Sequence, residues 1–319
     1  MKVVQIGSIA FPRFFVASGA GGFFGEGYPF HRLPPWRFVR GWWEREDVVF
    51  TAKTTTLKPR AGNMPLKADG ITPQELFPRC IIAKPLSGHV LNAVGLSGPG
   101  AEFLFEQGLW QMRTRPFCLS FMAVAPSRSE RLEEMHRFVE LARHYLPRFQ
   151  AKVALQVTFG CPNTEHELAE LWMEIADMLD VASALHIPLI PNFSPAAPPE
   201  ILIETAQHPY YAALCLGNTF PWGNPLIDWR RIFGQESSPL VDRGFSAGGL
   251  SGPACLVPAL VKLSAVRKKI PQPIIVGNGI QSPLAARAAY ATGADAILVG
   301  VAGIVRPWRL NSIINAALV

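Results

Sequence analysis

The chain has 319 residues, of which 49% are hydrophobic and only 17% are charged. This composition provides for a large core and excludes a disordered chain. The 30 basic and 24 acidic residues give a net charge of +6, and no basic run of the kind that binds nucleic acid is present. The five cysteines are widely spaced, which excludes zinc and iron–sulfur ligation and indicates a reduced, cytoplasmic protein. The N-terminal segment lacks the ~20 apolar residues that a membrane span needs, so no membrane partner is expected.

Short apolar runs recur along the chain and predict strands. Several of them are apolar on both faces, which is typical of buried parallel strands. The predicted strands are Phe14–Ser18, Val48–Lys53, Phe117–Ala123, Val153–Phe159, Pro188–Phe193, Ala213–Asn218, Ile274–Gly277 and Ala296–Val301.

Amphipathic stretches lie between most of these strands and predict helices. They are 130–145, 165–185, 200–207, 254–269, 283–292 and 306–317. Eight strands alternating with helices predict a (β/α)₈ barrel that occupies 1–319 as one α/β domain, with a Trp- and Pro-rich insertion at 23–47. A doubly wound sheet is the alternative, but the glycines of 19–27 do not have the spacing of a dinucleotide-binding loop.

The chemistry of a barrel is carried by the carboxyl ends of its strands. Small, amide and hydroxyl residues dominate all eight predicted ends, and carboxylates are absent from them. A glycosidase requires a pair of carboxylates, so the sequence argues against that activity and against a metal-assisted hydrolase.

The last two predicted strand ends are rich in glycine. They read VGNGI at 276–280 and LVGVA at 298–302, and GGLSG at 248–252 is a third such segment. Backbone N–H groups at such turns can bind a phosphate, although glycines also serve simply to permit tight turns. The occurrence of two glycine-rich ends on successive strands favours a phosphate site.

Cys161 follows the fourth predicted strand in the segment FGCPNT. A lone cysteine at such a position is more often a buried apolar residue than a base. A thiolate of lowered pKa could nevertheless remove a proton from a substrate carbon. The other four cysteines are interpreted as structural.

Seven segments together resemble those of the dihydroorotate dehydrogenases. They are TAKTTTLKPRAGN (51–63), LNAVGLSGPG (91–100), FGCPNT (159–164), GNT (217–219), GGLSG (248–252), IIVGNGI (274–280) and ILVGVAGI (297–304), with ASG (17–19) as the first anchor. Each motif is weak by itself, but their order and barrel positions match the family over nearly the whole chain.

The resemblance implies a barrel that binds FMN and oxidises dihydroorotate to orotate in pyrimidine biosynthesis. Cys161 would be the catalytic base, as in the soluble members of the family, which are often dimers. The implied cofactor-binding residues are Ala17, Ser18, Gly19, Lys53, Thr54, Ser120, Thr158, Asn192, Gly249, Gly277, Asn278, Gly279, Gly300 and Val301. The implied substrate-binding residues are Lys53, Asn92, Gly95, Leu96, Asn163, Asn218 and Thr219.

The chain departs from the family pattern at the fourth and fifth strand ends. Asn192 stands where the family has a lysine beside the flavin, and Thr158 and Gly160 replace an asparagine and a serine. Two alternatives therefore remain open: a divergent flavoprotein that acts on another compound, and a catalytically silent FMN-binding barrel. The sequence does not identify the electron acceptor.

Overall fold

The computed structural model describes residues 2–159 and 174–318. In these ranges the strands are β1 (Val3–Ile6), β2 (Ile9–Pro12), β3 (Phe14–Val16), β4 (Ile81–Lys84), β5 (His89–Asn92), β6 (Phe117–Phe121), β7 (Val153–Thr158), β8 (Leu189–Phe193), β9 (Leu214–Leu216), β10 (Phe220–Pro221), β11 (Gly249–Ser251), β12 (Ile274–Val276) and β13 (Ala296–Val299). The helices are α1 (Ala101–Glu106), α2 (Arg128–Tyr145), α3 (Ile175–Ser183), α4 (Pro199–Thr205), α5 (Trp229–Phe233), α6 (Leu256–Arg267), α7 (Pro283–Ala291), α8 (Val301–Val305) and α9 (Leu310–Leu318).

The central sheet closes on itself as an eight-stranded parallel barrel. Seven strands pair in the order β3-β13-β12-β9-β8-β7-β6. The extended segment 48–55 fills the remaining gap, because Val16 N donates to Val49 O at 2.9 Å and Cys118 N donates to Phe50 O at 2.9 Å. All eight predicted strands are therefore barrel strands, which confirms the barrel and contradicts the doubly wound alternative.

The barrel interior is filled by apolar residues that alternate along each strand, as the period of two requires. One buried layer contains Phe15, Val49, Cys118, Ala154, Ile190, Cys215, Ile275 and Leu298. The antiparallel hairpin of β1 and β2 packs Ile6 and Phe11 beneath this layer and covers the amino-terminal end of the barrel. The hairpin was not predicted.

Two residues further along several strands, the inward positions are small. At Gly217 and Gly277 an added Cβ would lie 2.5 and 2.9 Å from Leu298 Cδ2, and at Gly300 it would lie 2.8 Å from Ala17 Cβ. A larger residue at any of these three positions would clash with a neighbouring side chain, which explains why they are glycines.

An antiparallel sheet, which was not predicted, lies over the carboxyl ends of the barrel strands. Its strand order is β10-β11-β5-β4, and Gly249 of β11 pairs with Asn92 of β5. The segment GGLSG therefore contributes a strand to this sheet rather than an amide-rich loop.

The predicted helices are present wherever the structure describes them. Helix α2 begins at a capping box formed by Ser127 and Glu130, which is a typical start signal. The stretch 306–317 differs from its prediction because Pro307 opens a short 3-10 turn over Pro307–Arg309 before α9 begins. The amino-terminal part of the predicted helix 165–185 lies outside the described residues.

The insertion 23–47 packs against the barrel through aromatic side chains. Trp42 and Trp43 belong to the main core, and Trp43 Nε1 donates to Gly25 O at 3.0 Å. Trp110 Nε1 donates to Phe23 O at 2.7 Å. The insertion is thereby attached at both its beginning and its end.

Replacing Arg131 with methionine is expected to destabilise the fold by about 3–5 kcal/mol, because breaking a buried ion pair leaves an uncompensated charge. The Arg131 guanidinium is fully buried against the Glu174 carboxylate and also donates to Ala125 O and Pro126 O. The matched control is Arg128→Met, which breaks the exposed pair with Asp177 across the same two helices and should cost no more than about 1 kcal/mol. Chemical denaturation of both variants measures the difference, and equal losses would contradict this assignment.

Candidate active site at the carboxyl ends of the barrel strands

A cavity lies between the carboxyl ends of the barrel strands and the antiparallel sheet above them. Its floor includes Gly217 and Gly300, and its roof includes Ile81 and Val90 from β4 and β5. No aspartate or glutamate is among the described residues that line it. The cavity occupies the part of a barrel where catalytic sites are found.

Most of the residues implied by the resemblance line this cavity. They are Ala17, Ser18, Gly19, Lys53, Thr54, Asn92, Gly95, Leu96, Thr158, Asn192, Asn218, Thr219, Asn278, Gly279, Gly300 and Val301. Ser120, Gly249 and Gly277 do not reach the cavity lining: Ser120 supports it from behind, Gly249 is in the roof strand β11, and Gly277 faces Leu298 in the barrel interior. Cys161 and Asn163 lie outside the described residues.

A chain of hydrogen-bonded side chains runs around one side of the barrel rim. Ser18 Oγ is 2.6 Å from Thr54 Oγ1, which is 2.8 Å from Ser120 Oγ. Ser120 Oγ is 3.3 Å from Thr158 Oγ1, to which Asn192 Nδ2 donates at 3.5 Å. Five neighbouring strand ends are thereby linked, which holds their polar groups in fixed positions.

Lys53 is a buried cation in the cavity wall. Its ammonium donates to Ser97 O and lies 4.5 Å from the centre of the Phe23 ring. Burial lowers the pKa of Lys53 from 10.5 to about 8, while the nearby Glu26 carboxylate opposes this shift. Lys53 can therefore change its charge near neutral pH and can bind an anionic ligand when protonated.

Three buried polar atoms of cavity-lining residues have no hydrogen-bond partner in the described structure: Gln156 Oε1, Asn192 Oδ1 and Thr219 Oγ1. Buried acceptors are normally satisfied, and a group left without a partner is costly. These atoms therefore indicate a ligand that brings N–H or O–H donors to the cavity floor.

The side chain of Asn278 connects the loops after β9 and β12 to the end of strand β11. Asn278 Nδ2 donates to Asn218 O at 2.8 Å, and Asn278 Oδ1 accepts from Ser251 Oγ at 3.3 Å. Asn278 has a φ of +67°, a left-handed conformation that asparagine tolerates better than most residues. Its side chain thus fixes the loop that precedes Gly279.

The sequence analysis did not identify several polar residues of the cavity. Tyr28 enters from the insertion, Ser251 from the roof, and Gln156 and Gln281 from the barrel. Gln156 had a usable signal, because it lies two residues before Thr158 and so faces the same side of β7. Tyr28 and Ser251 had none, since their positions depend on how the insertion and roof fold over the barrel.

The four described cysteines, Cys80, Cys118, Cys215 and Cys255, are free and buried. Burial raises the pKa of the Cys80 thiol to about 11 and that of Cys118 and Cys255 to about 12, and it also raises the pKa of Cys215. A thiol with a raised pKa is a poor base at neutral pH. These four cysteines have the environments expected of structural residues.

No family model matches the chain. Over 304 residues it is 29% identical to "Dihydroorotate dehydrogenase B (NAD(+)), catalytic subunit" of Endomicrobium trichonymphae, covering 93% of this chain and 85% of that relative. The protein of the same name from Carboxydothermus hydrogenoformans is 28% identical over 275 residues, covering 84% of this chain and 78% of that relative.

A solved structure shares the fold. The DHODH of Eimeria tenella in complex with ferulenol superimposes with a TM-score of 0.67 at 17% identity and covers 99% of this chain and 83% of its own. At this identity the likeness supports the barrel fold alone. The two sequence relatives and the ordered motifs make the chain similar in sequence to the dihydroorotate dehydrogenases, and the barrel fold agrees with that similarity.

Proposed function

We propose that the chain is an FMN-dependent oxidoreductase that converts dihydroorotate, or a closely related dihydropyrimidine, to the unsaturated product. The observation that carries this proposal is the chemistry of the cavity lining: amides, hydroxyls and one lysine, without a carboxylate among its described residues. A planar heterocycle with alternating C=O and N–H groups is matched by amide side chains, which supply both donors and acceptors. The relatives that bear the name dihydroorotate dehydrogenase support the same reaction.

The residues present also fit a flavin. The unpartnered acceptors of Gln156 and Asn192 suit the N–H edge of an isoalloxazine, and the cavity that Gly217 and Gly300 help to line could hold a flat ring. The adjacent ends of β12 and β13 bring Gly279 and Gly300 to one side of the cavity, where backbone N–H groups could hold one phosphate. The chemistry that FMN supplies when bound is acceptance of a hydride.

The protein residues would then orient the substrate and move its proton. Protonated Lys53 would bind a carboxylate, while Asn92, Asn218 and Thr219 would bind the ring edge. Cys161, three positions after Thr158 in the sequence, would remove the proton from C5 as the hydride leaves C6. We place the protein in the cytoplasm as a homodimer, with an electron acceptor that is a separate molecule.

Identification of the bound chromophore tests the cofactor assignment. We expect mass spectrometry of the material released from purified protein to give FMN. The reasons are the compact phosphate-binding loops and the lack of a dinucleotide-binding motif. Recovery of FAD, or a colourless protein that FMN does not reconstitute, would overturn the proposal.

A second candidate is an FMN protein that oxidises a different substrate. It is favoured by Asn192, whose neutral amide occupies the cavity floor where the family has a lysine. Anaerobic addition of dihydroorotate distinguishes the two, because only a dihydroorotate dehydrogenase loses its yellow colour promptly. A flavin that no dihydropyrimidine bleaches would point either to an unrelated substrate or to the catalytically silent FMN-binding barrel.

The affinity of the holoenzyme for orotate is expected to fall as the pH rises above about 8. Lys53 loses its proton there, so a bound carboxylate loses its counter-charge, with a limiting fall of about tenfold per pH unit. Titration of orotate by the change in flavin absorbance, at pH values on either side of 8, measures the effect. Lys53→Met should bind weakly and without this dependence, while Lys58→Met, at an exposed position, should behave as the wild type. The same pH dependence in Lys53→Met would remove Lys53 from the binding site.

A further inference from the structure

Three segments that contribute residues to the cavity lining also carry exposed aromatic or aliphatic side chains. Phe38 is 73% exposed, Trp308 61% and Leu86 99%. Leu86 is at the turn between β4 and β5, Phe38 is in the insertion, and Trp308 is in the turn before α9. Isolated exposed apolar residues are ordinary, but a contiguous group of them marks an interaction surface.

The contacts between these segments show that the three segments adjoin one another. Trp36 Nε1 donates to Ile304 O at 2.6 Å, which places the insertion against α8. The Arg306 guanidinium donates to Pro85 O and Leu86 O, which attaches the β4–β5 turn to the same helix end. The turn of Trp36–Val39 also contacts the turn Pro307–Arg309. We call the surface formed by Phe38, Leu86 and Trp308 the apolar face.

The chain segments that carry the apolar face contain basic but no acidic residues. Residues 27–43, 76–101 and 296–319, which build it, contain no aspartate or glutamate. The first and last of these stretches contribute Arg32, Arg37, Arg40, Arg306 and Arg309. None of these five arginines forms an ion pair in the described parts of the chain, whereas the bordering Glu44 is paired with Arg113.

We propose that the apolar face binds the surface of an anionic lipid bilayer. Tryptophan, phenylalanine and leucine flanked by arginines form the pattern of interfacial membrane attachment, in which apolar side chains enter the headgroup region and cations meet lipid phosphates. The Arg37 guanidinium lies 4.9 Å from the centre of the Phe38 ring, so a cation and an exposed apolar side chain stand next to each other. An acidic protein would satisfy the arginines, but it would not account for a leucine exposed almost completely at the tip of a turn.

This mode of attachment differs from a membrane span. No helix among the described residues is long and apolar enough to cross a bilayer. The expectation of no membrane partner rests on the lack of a span in the N-terminal segment, and surface attachment does not need one. Ile81 and Ile304 line the cavity and belong to the segments that carry the apolar face, so an attached protein would hold its cavity mouth close to the lipid.

Co-sedimentation of the full chain with vesicles tests the proposal. We expect binding to phosphatidylglycerol vesicles, weak binding to phosphatidylcholine vesicles, and loss of binding at high salt. The double substitution Phe38→Ser with Trp308→Ser should lower partitioning by at least about tenfold. The matched control is Val257→Ser with Val261→Ser, which removes two equally exposed apolar side chains from the outer face of α6 and should leave partitioning unchanged.

A charge variant separates the two contributions. Arg37→Gln with Arg40→Gln should weaken binding to anionic vesicles and leave the weak binding to neutral vesicles as it was. The proposal is overturned by a wild-type chain that does not sediment with anionic vesicles at millimolar lipid, which would leave the face to a protein partner. It is equally overturned by full binding of the Phe38 and Trp308 variant, once circular dichroism has shown that both double variants are folded.

Discussion

Replacing Cys161 with alanine is expected to leave flavin binding intact and to slow reduction of the flavin by substrate by about 10²–10⁴-fold, the usual contribution of a general base. The reason is chemical: a hydride cannot leave C6 readily unless the proton on C5 is removed with it. The four other cysteines are buried thiols whose pKa values are raised, so none of them is suited to replace it. Stopped-flow absorbance under anaerobic conditions measures the rate of flavin reduction directly.

Cys161→Ser is the informative companion variant. A serine hydroxyl is harder to ionise than a thiol, so this variant should retain some activity and gain rate as the pH rises. Cys255→Ala, which removes a thiol beside the roof strand β11, controls for general effects of cysteine removal. Flavin reduction at the wild-type rate in Cys161→Ala would exclude the cysteine as the base.

The barrel could be predicted from the sequence because each of its strands is recognisable from a short continuous segment. Each strand is an apolar run, and the alternation that faces Phe15, Cys118 and Ile190 inward is visible within five residues. The roof could not be predicted in the same way. Its central pairing joins Asn92 to Gly249, which are 157 residues apart in the chain. Strands of two to four residues carry too little periodicity to reveal such a distant partner.

The residues of the candidate site also differ in how well the sequence predicts them. Residues that end barrel strands, such as Lys53, Thr158 and Asn192, reach the cavity because parallel strands present their carboxyl ends together. Gly277 was expected at the phosphate, but it is not among the residues that line the cavity, and its N–H donates to Leu216 O at 2.9 Å. The glycine pattern identifies the right loop but not which of its residues is exposed. Tyr28 could not be predicted as a site residue, because nothing in a proline-rich insertion indicates which side chain will lie towards the site.

Asn192→Lys should raise the midpoint potential of the bound flavin, because it replaces a neutral amide in the cavity with a cation. Reduced flavin carries negative charge near N1 and O2, and a cation close by stabilises it. A unit charge ~4 Å away at an effective dielectric of ~20 contributes about 4 kcal/mol before desolvation is counted. For a two-electron couple ~30 mV corresponds to about 1.4 kcal/mol, so a shift of tens of millivolts should remain after desolvation.

The position offers a control for this substitution. Asn192 lines the cavity, and its Oδ1 atom has no hydrogen-bond partner in the described structure to lose. Asn192→Met has nearly the length of lysine without its charge, so it should leave the potential close to that of the wild type. Redox titration of the three proteins separates charge from bulk: equal shifts in the methionine and lysine variants would attribute the change to packing. If the lysine variant keeps the wild-type potential and the wild type already turns over dihydroorotate at an ordinary rate, the amide at this position is neutral. A raised potential together with faster reduction by dihydroorotate would instead show that Asn192 restrains this chain from the reaction of its relatives.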